Sequence, residues 1–127
     1  KMRIAICDDN VAITGEIDQM LQRIGKEEKI NLQTDVFFDG DTLWSEIQKS
    51  GPYDLIYLDI EMERMDGITT AKKIREKDPY TDSDFCIGVM RVICKQLFEV
   101  EPLRFLDKPI DYDIFKEYFS AGAQETP

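Results

Sequence analysis

The stretch Leu55-Ile56-Tyr57-Leu58-Asp59, continued by Ile60-Glu61-Met62, decides how this chain is read, because an unbroken apolar run there ends in a carboxylate. A run this short, entirely apolar and rich in strand formers, is a fully buried strand. A buried strand that ends in an acid presents chemistry at its tip. Two other runs close in the same way: Ile4-Ala5-Ile6-Cys7 ends in Asp8-Asp9, and Leu103-Arg104-Phe105-Leu106 leads to Lys108-Pro109.

The elements between these runs follow from period and punctuation. Ile13, Ile17, Met20, Leu21 and Ile24 recur at helical spacing and predict a first helix near residues 11–26, with Asn10 as N-cap. Residues 32–38 read as a second strand. Leu43, Trp44 and Ile47 mark a short helix that Gly51-Pro52 stops. Ile68, Ala71 and Ile74 predict another helix from near Asp66 that ends before Pro79. Asp111 caps a last helix carrying Ile114, Phe115 and Tyr118. Strands alternating with helices imply right-handed crossovers and a parallel sheet with helices on both faces, a doubly wound α/β fold. The stretch 85–100 reads both ways, since its β-branched residues favour one longer strand.

In an open parallel sheet, ligands bind in the crevice beyond the carboxyl ends of the strands. That geometry gathers Asp8, Asp9, Asp59 and Lys108. Clustered carboxylates repel unless a hard divalent cation joins them, and an oxygen-only donor set suits Mg²⁺. The chain has no histidine, which argues against a zinc or iron site. Lys108 then faces whatever anion joins the metal, and a phosphoryl group is the natural guest.

Asp8-Asp9, Asp59, Met65-Asp66-Gly67 and Lys108-Pro109, in this order and spacing, resemble the receiver domain of two-component response regulators, from about Met2 to about Phe119. The segment from Phe98-Glu99-Val100 to Lys108-Pro109-Ile110-Asp111 looks most like that of receivers that carry a LytTR-type DNA-binding domain downstream. The resemblance implies a flavodoxin-like, five-stranded parallel sheet, with a fourth strand near residues 85–88, a fourth helix near 91–98 and a fifth strand at 104–106. It implies that Asp59 accepts a phosphoryl group from a sensor histidine kinase. Asp9, Asp59 and the backbone carbonyl of Glu61 would ligate Mg²⁺, with Asp8 holding a metal-bound water. Lys108 would contact the phosphoryl group, and Phe105 would be the aromatic switch residue. Two positions depart from the pattern: Gly88 stands where a switch Ser or Thr is usual, and Glu63 stands where proline is usual.

Each residue also has a plainer reading when taken alone. Asp8 or Asp9 can cap a helix, Asp59 or Lys108-Pro109 can form a turn, and Phe105 can be core. Gly88 keeps a second function open, a degenerate receiver that docks or dimerises without phosphorylation. A haloacid-dehalogenase type phosphohydrolase shares the strand-end aspartate followed two residues on by an acid, but places its nucleophile near the amino terminus, unlike Asp59.

Composition bounds the partners. With 127 residues, 43% hydrophobic, the chain is one domain with a sizeable core. A net charge of -10, from 26 acids and 16 bases, makes direct nucleic-acid binding by this segment unfavourable. Cys7, Cys86 and Cys94 form no CxxC pair and read as free thiols in a reducing cytoplasm. No apolar stretch is long enough to span a bilayer. Residues 1–119 are read as the receiver and 120–127 as a linker start or added tail. An effector, by the resemblance a DNA-binding transcription regulator, is expected to follow in the full-length protein, and a homodimer on activation is left open as a partner state.

Overall fold

The computed structural model describes residues 2–59, 83–87, 89–93, 102–107 and 110–125, with side chains for 2–59 and 110–121. In chain order these form β1 (Met2–Cys7), α1 (Val11–Glu28), β2 (Leu32–Phe37), α2 (Gly40–Ser50), β3 (Leu55–Asp59), β4 (Ser83–Ile87), β5 (Val89–Ile93), β6 (Pro102–Asp107) and α3 (Tyr112–Glu125). The helix expected from near Asp66 to Pro79 lies outside the described residues.

Helix boundaries are set by side chains that satisfy orphan backbone donors. The Asn10 side-chain oxygen accepts the N–H of Ala12 at 2.9 Å and of Ile13 at 3.3 Å. Asp39 does the same for Thr42 at 2.8 Å, and Asp111 for Ile114 at 3.1 Å. Gly51, at φ +90°, ends α2 in a conformation that residues with a Cβ rarely adopt.

One face of the sheet packs α1 and α3, the other packs α2. Ile4, Ile6, Leu55 and Tyr57 join Ile17, Leu21, Ile24, Ile110, Phe115 and Phe119 in one core. The alternate strand residues Ala5, Cys7, Ile56 and Leu58 join Leu43, Ile47 and Tyr53 in the other. This period-two split, with every β3 residue buried, is what a doubly wound sheet requires. Full burial of each large apolar side chain contributes about 1.5–3 kcal/mol.

The sheet order is β2-β1-β3-β4-β5-β6. β2, β1, β3 and β4 run parallel. The expected flavodoxin-like parallel arrangement is therefore present, but β5 lies antiparallel between β4 and β6, so the described residues form six strands where five were expected. The expected fourth helix near 91–98 is corrected at its start, because residues 91–93 are strand. The physical reason is local: Val89, Val92 and Ile93 are β-branched, and a single residue separates β4 from β5, so Ile87 pairs with Val89. At the other end, α3 continues to Glu125, so most of the segment 120–127 expected as a linker start or tail is helical. Ala121 and Ala123 favour that continuation.

Candidate phosphoacceptor and metal site

β1 and β3 are neighbours in a register that pairs Ile4 with Leu55 and Cys7 with Leu58. One residue beyond the last pair, Asp8 and Asp59 stand level at the carboxyl edge of the sheet. Carboxylate oxygens of Asp8, Asp9 and Asp59 all lie within 4.8 Å of one another. Asp8 is 1% exposed and Asp59 5%, whereas Asp9 is open to solvent. The backbone holds Asp8 in place: its N–H donates to the Phe37 carbonyl at 3.1 Å, and its Oδ1 accepts the Asn10 N–H at 2.9 Å. The three acids expected from the sequence are thus brought together.

Two buried carboxylates this close, if both ionised, repel by about 3 kcal/mol or more at an effective dielectric near 20. A cation offsets that cost. The donor set is oxygen only, which fits a hard divalent ion that retains waters and not a zinc-type site. Cys7, the nearby sulfur among the described side chains, does not compete as a thiolate. Burial pushes its thiol well above its ordinary range, and the acids Asp39, Asp8, Asp59 and Asp9 push it further. The thiol donates to the Asp39 carbonyl at 3.3 Å. Asp39 is therefore a further acid at this end of the sheet that sequence reading missed. Its signal was its position, two residues after β2, but its approach to Cys7 depends on tertiary packing.

Lys108, Glu61 and Gly88 lie outside the described residues. Phe105 lies in β6, where its Cα partner is Arg91 of β5. β4 brings Cys86 level with Asp59. Among the described residues, no helix is long and apolar enough to cross a membrane.

Comparison with known proteins agrees with this geometry. Residues 4–119 match the response regulator receiver domain family model. A protein-glutamate methylesterase/protein-glutamine glutaminase of Rhodopseudomonas palustris is 35% identical over 97% of this chain and 27% of its own length. Two solved structures share the fold. The signal receiver domain of an HD domain-containing protein from Pseudomonas fluorescens matches with a TM-score of 0.76 at 19% identity, covering 98% of this chain and 95% of that one. A two-component transcriptional regulator AraC from Clostridium phytofermentans matches with a TM-score of 0.73 at 24% identity, covering 98% and 94%. The chain belongs to the response regulator receiver domain family, the signalling domains of two-component systems. It spans about a quarter of the length of the methylesterase relative.

Proposed function

We propose that this receiver is a Mg²⁺-dependent phosphoacceptor, charged on Asp59 by a sensor histidine kinase in the cytoplasm. The observation that carries the reading is the convergence of Asp8, Asp9 and Asp59 within 4.8 Å at adjoining strand ends. A carboxylate oxygen of Asp59 attacks phosphorus, an O–P bond forms, and the N–P bond of the kinase phosphohistidine breaks. The imidazole leaves with the bonding pair and takes up a proton. Water later cleaves the acyl phosphate, returning the carboxylate and inorganic phosphate. Asp9, Asp59 and the Glu61 carbonyl would hold Mg²⁺, with Asp8 binding one of its waters. Bound Mg²⁺ would neutralise charge developing on the phosphoryl oxygens. Lys108 would contact one of those oxygens, and Phe105 and the position of Gly88 would belong to the switch.

The output is proposed to be a DNA-binding transcription regulator following this domain, as the LytTR resemblance suggests. The comparison proteins include a methylesterase and an AraC-type transcriptional regulator. A second reading, docking without phosphorylation, is favoured by β5 taking residues 91–93, the start of the expected fourth helix. Beryllofluoride separates the two. A phosphoacceptor gives a bound fluorine NMR signal that needs both Mg²⁺ and Asp59, while the docking module gives none.

A further inference from the structure

Among the described residues β2 has a neighbouring strand on one side only. Its inward groups are identifiable: Asn31 and Phe37 turn their carbonyls toward β1, accepting the N–H of Met2 at 2.9 Å and of Asp8 at 3.1 Å. Alternation along the strand then directs the N–H and C=O of Leu32, Thr34 and Val36 outward. No proline, lysine or bulge in Leu32–Phe37 blunts this edge. A groove of about 710 Å³ beside β2 is lined by residues 33–37 with Arg3 of β1 and Glu46 and Ser50 of α2. Exposed apolar side chains flank both ends, Ile30 at 37% and Phe38 at 49% exposure.

We propose that β2 is a docking edge for a second copy of this chain, the two strands pairing antiparallel about a two-fold axis through Thr34. The sequence is self-complementary in this register. Leu32 meets Val36 of the second copy, Ile30 meets Phe38, and Thr34 meets itself. On the opposite side Gln33 meets Asp35, an amide against a carboxylate. Centring on Asp35 would set that charge against itself. Centring on Gln33 would place Leu32 opposite Thr34 and lose the apolar pair. Registers centred between residues would point the outward groups at residues whose own groups already serve β1.

Charge complementarity supports the same register. The antiparallel pairing carries Lys29, exposed at the end of α1 where Lys116 already pairs with Glu27 and Glu28, to the end of the interface that holds Asp39 and Asp41 of the second copy. The interface is isologous and closes after two copies. Because β1 separates β2 from Asp59 and β3, this association forms with or without Mg²⁺ or acetyl phosphate.

The test is sedimentation equilibrium of the whole chain over a concentration series reaching the millimolar range, with two variants. The wild type is expected to approach twice the chain mass at high concentration. Thr34→Pro removes an outward N–H at an edge position where proline is tolerated, so the chain should stay folded and become monomeric. Thr34→Cys places two sulfurs at the axis, where a hydrogen-bonded antiparallel pair has Cα atoms about 5.5 Å apart, within the disulfide range of about 4.4–6.8 Å. Mild oxidation should link position 34 to position 34, whereas Asp35→Cys should not link to itself. A wild type that is monomeric throughout overturns the proposal. So does a dimer that Thr34→Pro leaves intact and Thr34→Cys fails to link, or one that forms only after phosphorylation.

Discussion

Phe115 stacks on Tyr57, ring centroids 5.1 Å apart and planes 26° from parallel, so the last helix is fastened to the strand two residues before Asp59. Both side chains are fully buried. Truncating a buried phenylalanine costs the lost transfer energy plus a cavity, about 3–5 kcal/mol. Phe115→Ala is expected to lower unfolding free energy by about that amount, as read by urea denaturation. A loss below 1 kcal/mol would show that α3 contributes little to the core.

Mg²⁺ should raise the melting temperature, because an ion bound only by the native state stabilises it by mass action. The gain is about 2.7 kcal/mol at a hundredfold excess over Kd. Asp9→Ala removes an exposed carboxylate from the cluster while leaving Asp8 and Asp59 in place, and should abolish the shift. An equal shift in the variant would place the ion elsewhere.

The Tyr112 hydroxyl donates to Glu27, and Lys116 lies 3.2 Å from the same carboxylate. These contacts, Tyr112 first and Lys116 second, hold the Glu27 carboxyl below its ordinary range. A carboxyl lowered in the folded state contributes stability above its unfolded value and loses it as pH falls through the folded one. The stabilisation is therefore complete at neutral pH and disappears in acid. Tyr112→Phe should move the Glu27 midpoint upward in a carboxyl carbon NMR titration. An unmoved midpoint would assign the effect to the lysine.

Because Val89–Ile93 is a strand between β4 and β6, its α-carbon chemical shifts will be of the extended type. Close contacts between backbone protons of Arg91 and both Phe85 and Phe105 should follow from the register. Helical shifts across these residues would restore the expected fourth helix.

Much of this fold was legible because period and punctuation agree. The Ile17, Leu21 and Ile24 spacing and the Asn10 cap both mark α1, and the all-apolar run before Asp59 marks a strand buried on two faces. The acidic cluster was legible for a topological reason, since parallel neighbours ending in acids deliver those acids to one edge. The stretch 85–100 was not, because β-branched residues supported a strand while the family layout called for a helix, and local preference prevails at Val89–Ile93. Asp39 escaped notice because nothing local marks its approach to Cys7. The self-complementary β2 edge became visible only when hydrogen bonds to β1 showed which of its groups point outward.

The most direct measurement of the central claim is the intact mass of the chain after incubation with acetyl phosphate and Mg²⁺, with the modified residue located by borohydride reduction and peptide sequencing. The expected result is one phosphoryl group, labile to hydroxylamine, carried on Asp59, absent without Mg²⁺ and absent in Asp59→Asn. An unmodified wild type under these conditions, or a phosphoryl group that persists in Asp59→Asn, would contradict the account.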